Sequence, residues 1–166
     1  MSDPKALNIA VITVSDTRTD ANDKSGDVLV QKLTQAGHQL HSKVIIKDDV
    51  YQLRATVSAY IADSAINAIL LTGGTGFTAR DNTYVALTPL LEKDIDGFGE
   101  LFRQLSYEEI GSSTIQSRAF AGLTNETILF CLPGSPGACA TGWDKIIAEQ
   151  LDSTHTPCNF ADKLWP

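Results

Sequence analysis

The 166-residue sequence predicts an α/β fold, a three-layer α/β/α sandwich with a mostly parallel sheet. Short apolar segments rich in β-branched residues alternate with segments of about 12 residues that have helical periodicity, which is typical of βαβ units. Hydrophobic residues make up 43% of the chain and charged residues 20%, as expected for a globular protein with a proper core. Because no repeat or low-complexity linker interrupts the sequence, we expect one domain over residues 1–166.

The first half of the chain predicts strands separated by helices. Residues 7–14 form a β-branched run without clean alternation, which is the pattern of a strand covered on both faces. Apolar residues share one face of a predicted helix over 27–36, with Ser25 as its N-cap and Gly37 as its stop. The same alternation then predicts a strand at 43–46, a helix at 51–63 and a short strand at 68–72.

The second half of the chain is less regular. A helix is expected over 83–91, whereas residues 96–117 show no clear pattern. Residues 124–126 look like a hairpin turn leading into a strand at 127–132. A last helix is predicted over 138–151, and the tail from residue 153 has too little periodicity to assign.

Charge and composition exclude several classes of function. The formal net charge is −7 and the basic residues are scattered, so we expect no nucleic-acid partner. No apolar run approaches the ~18 residues that a membrane span needs, and the N-terminus does not resemble a signal peptide. Three cysteines without a CxxC pair suggest reduced thiols, and therefore a cytoplasmic protein.

Polar and glycine-rich turns follow the predicted parallel strands. Ligands of open α/β sheets gather beyond the carboxyl ends of such strands, so these turns are expected to converge on one binding rim. The turns after the first, second, third and last strands are Ser15-Asp16-Thr17-Arg18, Lys47-Asp48-Asp49, Thr72-Gly73-Gly74-Thr75-Gly76 and Pro133-Gly134-Ser135-Pro136-Gly137.

The segment Thr72–Gly76, called the glycine loop below, has two interpretations. Glycines allow positive φ angles and close approach of a ligand, and successive N–H groups in such a turn can cradle a phosphate. A glycine-rich strand exit is also often a plain tight turn. The sequence contains no GxxxxGK[ST] and no GxGxxG, which removes the main support for an ATP hydrolase or a Rossmann dehydrogenase.

Two aspartates near this rim are candidate ligands of Mg²⁺. Asp81 follows the glycine loop and Asp48 ends the neighbouring strand, and a hard cation that bridges phosphates typically takes one or two carboxylates. Asp81 could instead cap the helix that opens near Thr83, and Asp48 could be a solvated turn residue. The His and Cys pairs, His38/His41 and His155/Cys158, lack the further ligands of a structural zinc site.

Taken in order, these motifs resemble the molybdopterin-binding family of molybdenum cofactor biosynthesis proteins (the MoaB/MogA family). Any single piece is unspecific, but the ordered set spans nearly the whole chain. Residues 99–118 and Cys158-Asn159-Phe160 look more like the B-type branch. The matching pieces are Val14-Ser15-Asp16-Thr17-Arg18, Asp23-Lys24-Ser25-Gly26, Gly37-His38, Leu71-Thr72-Gly73-Gly74-Thr75-Gly76-Phe77, Arg80-Asp81-Asn82-Thr83, Phe98-Gly99-Glu100, Ser117-Arg118 and Leu132-Pro133-Gly134-Ser135-Pro136.

The resemblance implies a function in molybdenum cofactor biosynthesis. Active members of the family adenylylate molybdopterin with Mg·ATP and release pyrophosphate, and Asp48 and Asp81 occupy the positions of their two catalytic carboxylates. The resemblance also implies a homotrimer, often paired into a hexamer, with other proteins of the pathway as further partners. The residues expected to bind the pterin or the nucleotide are Ser15, Asp16, Ser25, Gly26, Thr72, Gly73, Gly74, Thr75, Gly76, Ser117, Arg118, Pro133, Gly134 and Ser135.

One position departs from the family pattern. Members commonly have an acidic side chain in a Thr-Pro-Glu-Ala motif where this chain has Val85. Two alternatives to the adenylyltransferase therefore stay open. The first is a non-catalytic protein that binds or carries molybdopterin in the same pathway, and the more remote one is a nucleotide-pyrophosphate hydrolase.

Overall fold

Six strands form one sheet in the computed structural model, which describes residues 3–164. They are β1 (Asn8–Val14), β2 (Gln39–Ile46), β3 (Ala68–Thr72), β4 (Lys93–Asp94), β5 (Phe120–Thr124) and β6 (Thr127–Leu132). In the order β2-β1-β3-β6-β5-β4, the first four strands are parallel, and β5 pairs antiparallel with both β6 and β4, so β5 alone is reversed. The prediction of a mostly parallel sheet is confirmed.

Helices cover both faces of this sheet. They are α1 (Lys24–Gln35), α2 (Val50–Ala62), α3 (Thr83–Leu87), α4 (Asp96–Ile110), α5 (Pro136–Gly142) and α6 (Ala148–Gln150). A π-helical turn, Trp143–Ile147, joins α5 to α6, and short 3₁₀ turns follow α3 and α4 at Thr88–Leu90 and Gly111–Gln116. None of the helices within residues 3–164 is both long and apolar enough to cross a membrane.

Alternate residues of β1 enter two separate cores. Ile9 and Val11 pack with the helices α1, α4 and α5 on one face, and Ala10 and Ile12 pack with α2 and α3 on the other. All four side chains are fully buried. A strand that is covered on both faces shows no polar alternation, which explains the apolar run in the sequence.

Three helix boundaries differ from the prediction. Asp23, not Ser25, caps α1, because its carboxylate accepts a hydrogen bond from the Gly26 N–H at 3.0 Å. The α-helix after Thr83 ends at Leu87, and the chain continues as a 3₁₀ turn that contains Pro89. The last helix is continuous but begins at Pro136 and contains the π-helical turn.

The largest difference is α4, a 15-residue helix in the segment that showed no clear pattern. Its buried face consists of Phe98, Gly99, Phe102 and Ser106. Only two of these residues are large and apolar, so the helical periodicity is weak in the sequence. Strand β2 also begins earlier than expected, because its polar first half pairs with β1 at an exposed edge of the sheet.

The hairpin between β5 and β6 is confirmed. Thr124 pairs with Thr127, which leaves Asn125 and Glu126 as a two-residue turn. Both turn residues have positive φ, +46° and +63°, as a type I′ turn requires.

Candidate ligand-binding site

A cleft of about 680 Å³ lies at the carboxyl ends of β1, β3 and β6. These strands are parallel and in register, with Thr13 opposite Thr72 and Thr72 opposite Leu132, so their exits meet at one edge. The rim predicted from the sequence therefore exists. The predicted site residues that line it are Ser15, Asp16, Asp48, Gly73, Gly74, Thr75, Gly76, Asp81, Ser117, Pro133, Gly134 and Ser135.

Four predicted site residues lie behind the cleft wall and hold it in place. Thr72 is fully buried and donates a hydrogen bond to the Pro133 carbonyl at 2.8 Å. Ser25 donates to the Gly134 carbonyl at 3.3 Å, and a Cβ on Gly26 would lie 2.7 Å from Thr13 Oγ1. These three residues, together with Arg118, therefore support the cleft in the structure without lining it, and their contact with a ligand stays a prediction.

Two residues fix the orientation of the glycine loop. The four carbonyls of residues 73–76 all accept hydrogen bonds from within the protein, two from Thr83 and two from Arg118. In a trans peptide the N–H points opposite to the preceding carbonyl. The N–H groups of Gly74 and Thr75 therefore point away from Thr83 and are available to an anion, as a phosphate cradle requires.

The conformation of the loop also depends on its glycines. Gly73 and Gly74 have φ angles of +103° and +68°. A Cβ on Gly73 would lie 2.3 Å from the Val14 carbonyl oxygen, and one on Gly74 would lie 2.3 Å from Thr83 Oγ1. Both the backbone angle and the close packing exclude a side chain here.

Asp48 is buried, with only 6% of its surface exposed, so it is not the solvated turn residue that the sequence left possible. Its Oδ1 accepts a hydrogen bond from the Asn82 N–H at 2.9 Å. Its Oδ2 faces Gly74 and lies 2.9 Å from where a Cβ on that residue would be. Burial raises the pKa of Asp48, and the negative charges of Asp81 and Asp16 raise it further against the hydrogen bonds from Asn82.

Asp81 lies beside Gly76, two residues further along the glycine loop than Gly74. Its Oδ2 accepts hydrogen bonds from the Thr78 N–H at 2.9 Å and the Thr78 hydroxyl at 2.7 Å, and lies 2.7 Å from where a Cβ on Gly76 would be. Asn82, not Asp81, is the N-cap of α3, so the capping interpretation is wrong. Burial raises the pKa of Asp81, but the bonds from Thr78 and from the Gly76 N–H outweigh it and lower the pKa overall.

The sequence missed one wall of the cleft. This wall comes from α4 and the 3₁₀ turn after it, and consists of Phe102, Ser106, Glu109, Ile110, Ser113 and Gln116. Periodicity alone could not place these residues, because α4 itself was not recognised. The resemblance to the B-type branch over residues 99–118 was the one available signal.

The charge of the cleft is strongly negative for a site that is expected to hold phosphates. Its lining contains the four carboxylates of Asp16, Asp48, Asp81 and Glu109, against one guanidinium, that of Arg80. Arg80 already donates to Asp16 Oδ2 through its Nε at 3.0 Å and through its Nη2. An anionic ligand therefore needs main-chain N–H donors and a further cation in this cleft.

A second cleft of about 730 Å³ lies beside β5 and α4. The guanidinium of Arg103 donates to the carbonyls of Ser117 and Ala119, and that of Arg118 donates to Gly76 and Asp81. Because main-chain carbonyls engage both cations, they serve the fold of the site rather than a ligand. Val85, at the position that departs from the family pattern, is 53% exposed and lines neither cleft.

A glycine-rich turn at the carboxyl ends of parallel strands, with carboxylates beside it, is the arrangement of an α/β protein whose ligand site lies at the strand ends. Comparison with known proteins specifies the class. Residues 10–153 match the family described as "probable molybdopterin binding domain". The chain therefore belongs to the molybdopterin-binding family of molybdenum cofactor biosynthesis proteins.

Individual relatives agree with this assignment. Molybdenum cofactor biosynthesis protein B of Escherichia coli (strain K12) is 50% identical over 156 residues, which cover 94% of this chain and 92% of the relative. A crystal structure of a molybdenum cofactor biosynthesis protein B has a TM-score of 0.88 at 43% identity, covering 90% of this chain and 94% of the other. The tungsten cofactor synthesizing protein MoaB from Pyrococcus furiosus has a TM-score of 0.79 at 36% identity, covering 89% and 94%.

Proposed function

We propose that the cleft at the glycine loop binds molybdopterin and that the chain adenylylates its terminal phosphate with ATP. The observation that carries the proposal is the pair of carboxylates, Asp48 beside Gly74 and Asp81 beside Gly76, in a loop whose Gly74 and Thr75 N–H groups are free to contact an anion. Phosphoryl-type transfer requires two anions placed in line and their charge neutralised, which such an arrangement favours.

The donor set of the cleft fits Mg²⁺. Within residues 3–164 no cluster of three or more His, Cys, Asp or Glu side chains forms a complete metal cage. Mg²⁺ does not need one, because it commonly binds one or two carboxylates together with substrate phosphates and water. Asp48 and Asp81 supply such carboxylates, and the excess of negative charge in the lining calls for a cation whenever phosphates enter.

The proposed reaction forms one bond and breaks another. An oxygen of the terminal phosphate of molybdopterin bonds to the α-phosphorus of ATP, and the bond from that phosphorus to the bridging oxygen breaks, so that pyrophosphate leaves with the electron pair. The N–H groups of Gly74 and Thr75 would orient the phosphates, and Asp48 and Asp81 would hold the cation. When bound, Mg²⁺ supplies neutralisation of the charge that develops on the departing pyrophosphate.

The carrier alternative binds the same ligand in the same cleft without chemistry. This alternative was considered because Val85 stands where the family commonly has an acidic side chain, but Val85 lies outside the cleft lining. The carboxylates that face the glycine loop are both present. We therefore favour the adenylyltransferase over the carrier.

The test is to mix the chain with molybdopterin, ATP and Mg²⁺ and to measure pyrophosphate and adenylylated product, with molybdopterin omitted as the control. Release that depends on molybdopterin supports the proposal. Binding of the pterin without release, across Mg²⁺, Mn²⁺ and other divalent ions, would instead establish the carrier. Turnover of dinucleotides by the chain alone would favour the hydrolase.

We further propose assembly into a homotrimer or hexamer in the cytoplasm, with other proteins of the pathway as partners. Exposed apolar side chains support assembly: Phe77 is 66% exposed and Tyr84 40%, and both contact the guanidinium of Arg118. The free thiols of Cys131, Cys139 and Cys158 are compatible with a reducing compartment. Light scattering at micromolar concentration tests the assembly, and a monomer would contradict it.

A further inference from the structure

Glu109 is the one ionisable residue on the α4 wall of the cleft. The other members of this wall are Phe102, Ser106, Ile110, Ser113 and Gln116. The opposite wall carries the glycine loop with its main-chain donors. A ligand whose phosphate lies on the glycine loop therefore presents its other end to a wall with a single negative charge.

The carboxylate of Glu109 is held in place by a hydrogen bond from a neighbouring helix. Its Oε1 accepts a hydrogen bond from the hydroxyl of Thr141 on α5 at 2.7 Å, and Thr141 is itself buried, with 8% of its surface exposed. One carboxylate oxygen thus fixes the orientation of the group. The other oxygen, and the second lone pair of the first, can accept further hydrogen bonds.

The neighbouring glutamate has a different setting, which makes it a matched control. Glu108 does not line the cleft, its side chain is 69% exposed, and it lies 4.0 Å from the ammonium group of Lys145. The two residues have the same chemistry and adjacent positions on one helix. Of the two, only Glu109 lines the cleft.

The pterin ring offers a matching edge. Its pyrimidinone half carries two adjacent donors, the N3–H and the 2-amino group, which pair with a carboxylate through two parallel hydrogen bonds. Ile110, which follows Glu109 on the same wall and is 55% exposed, supplies apolar surface for one face of a flat ring. We propose that Glu109 recognises the N3–H/2-amino edge of the pterin and selects a 2-amino ring over a 2-oxo ring.

This inference rests on the proposed function, because it assumes that a phosphorylated pterin occupies the cleft. Selectivity follows from the charge of Glu109. A 2-oxo ring presents a carbonyl where the 2-amino donor was, and two acceptors then face each other. Sites built to hydrogen-bond a donor discriminate strongly against an analogue that lacks it, since their own polar group is left unpaired.

The experiment compares two probes, 6-hydroxymethylpterin monophosphate and its 2-oxo counterpart, the corresponding lumazine phosphate. Calorimetric titration measures the affinity of each probe for the parent chain, Glu109→Gln and Glu108→Gln. We expect the parent to prefer the pterin by about tenfold or more, and Glu109→Gln to weaken pterin binding by about 10- to 100-fold and remove the preference. Glu108→Gln is expected to bind like the parent.

Thr141→Val adds a second variant that keeps the carboxylate and removes its anchor. We expect it to reduce the preference for the pterin only in part, by about threefold, because Glu109 still accepts from the ring. A preference that persists unchanged in Glu109→Gln, or a parent chain that binds both probes equally, would overturn the inference while leaving the proposed function intact. A parent chain that binds neither probe would also overturn the inference, whereas the proposed function is decided separately by pyrophosphate release that depends on molybdopterin.

Discussion

The two carboxylates beside the glycine loop are chemically identical but lie in opposite electrostatic settings. Asp48 is almost fully buried, and burial raises its pKa. Asp81 receives hydrogen bonds from the hydroxyl and the main chain of Thr78, and these lower its pKa despite partial burial. One group is therefore destabilised as an anion in the folded protein, and the other is stabilised.

This difference indicates what each side of the loop contributes. The raised pKa of Asp48 means that the hydrogen bonds from Asn82 compensate its charge only in part in the free protein, which favours any ligand that brings a cation. The hydrogen bonds of Asp81 stabilise the turn at residues 78–81 whether or not a ligand is present. We therefore expect Asp48 and Asp81 to share a role in catalysis but to have opposite effects on the stability of the fold.

The largest expected effect is on activity, where the two carboxylates should behave alike. Asp48→Asn and Asp81→Asn are each expected to lower the rate of pyrophosphate release by about 100-fold or more, because each removes a charge that holds the cation at the reacting phosphates. Asp144→Asn, which affects a surface pair with Lys32, serves as the control. An Asp48 or Asp81 variant that keeps a rate within about threefold of the parent would refute a shared catalytic role.

The next effect concerns the glycines that face the two carboxylates. Gly74→Ala is expected to lower the free energy of unfolding by about 2–3 kcal/mol, since it combines a positive φ with a clash against Thr83. For Gly76→Ala the nearest atoms are those of the Asp81 carboxylate, at the end of a side chain that can shift, so we expect a loss of about 1 kcal/mol.

Chemical denaturation measures both losses. Gly137→Ala is the control, because nothing lies within 4 Å of a Cβ at that position in the same cleft. Equal losses for Gly74→Ala and Gly76→Ala would mean that the two sides of the loop are equally rigid, contrary to the structure.

A smaller effect is expected on the free energy of unfolding, with opposite signs for the two aspartates. At neutral pH, Asp48→Asn is expected to raise the free energy of unfolding by up to about 1 kcal/mol, because a neutral amide is buried in place of an uncompensated charge. Asp81→Asn is expected to lower it by about 1 kcal/mol, because the amide accepts more weakly from Thr78. Thermal or urea unfolding of both variants tests this, and changes of the same sign would contradict the contrast.

The smallest expected effect concerns pH. The differences in the free energy of unfolding between each Asn variant and the parent should disappear at different pH values. Because the pKa of Asp48 is raised in the folded protein, its charge destabilises the fold at high pH. This unfavourable contribution to the free energy of unfolding is absent below the ordinary aspartate value of 3.8 and complete above the folded pKa. The lowered pKa of Asp81 makes its contribution complete above 3.8 and lost as pH falls through the folded pKa.

As the solution is acidified, the advantage of Asp48→Asn over the parent is therefore expected to vanish first, above pH 3.8. The deficit of Asp81→Asn is expected to vanish second, below that value. Urea unfolding of the three proteins from pH 3 to 7 follows both differences. The reverse order would show that the two environments have been exchanged.

The sequence predicted the parts of the fold that have strong local patterns. The strands β1, β3 and β6 can be recognised in the sequence as apolar runs, because they are buried on both faces. The turn at Asn125 can be recognised because its residues adopt positive φ. Helix α4 does not, since the buried face around Phe102 includes a glycine and a serine. Strand exits therefore located one side of the cleft, whereas the wall with Glu109 required the structure.

The roles of residues within the site could likewise be predicted only where they depend on local sequence. Asp48 and Asp81 were found because they follow strands or the glycine loop directly. The support given by Arg118 and Thr72 could not be inferred, because it depends on contacts between segments that lie far apart in the chain, Arg118 with Gly76 and Thr72 with Pro133. The sequence identified the residue types at the rim but not which of them face the ligand.

The most direct test of the central claim is a crystal structure of the protein with molybdopterin and AMP bound. We expect the terminal phosphate on the N–H groups of Gly74 and Thr75, Asp48 and Asp81 on either side of it, and the pterin ring along the α4 wall. A pterin bound instead in the second cleft beside Arg103, with no ligand on the glycine loop, would contradict the claim.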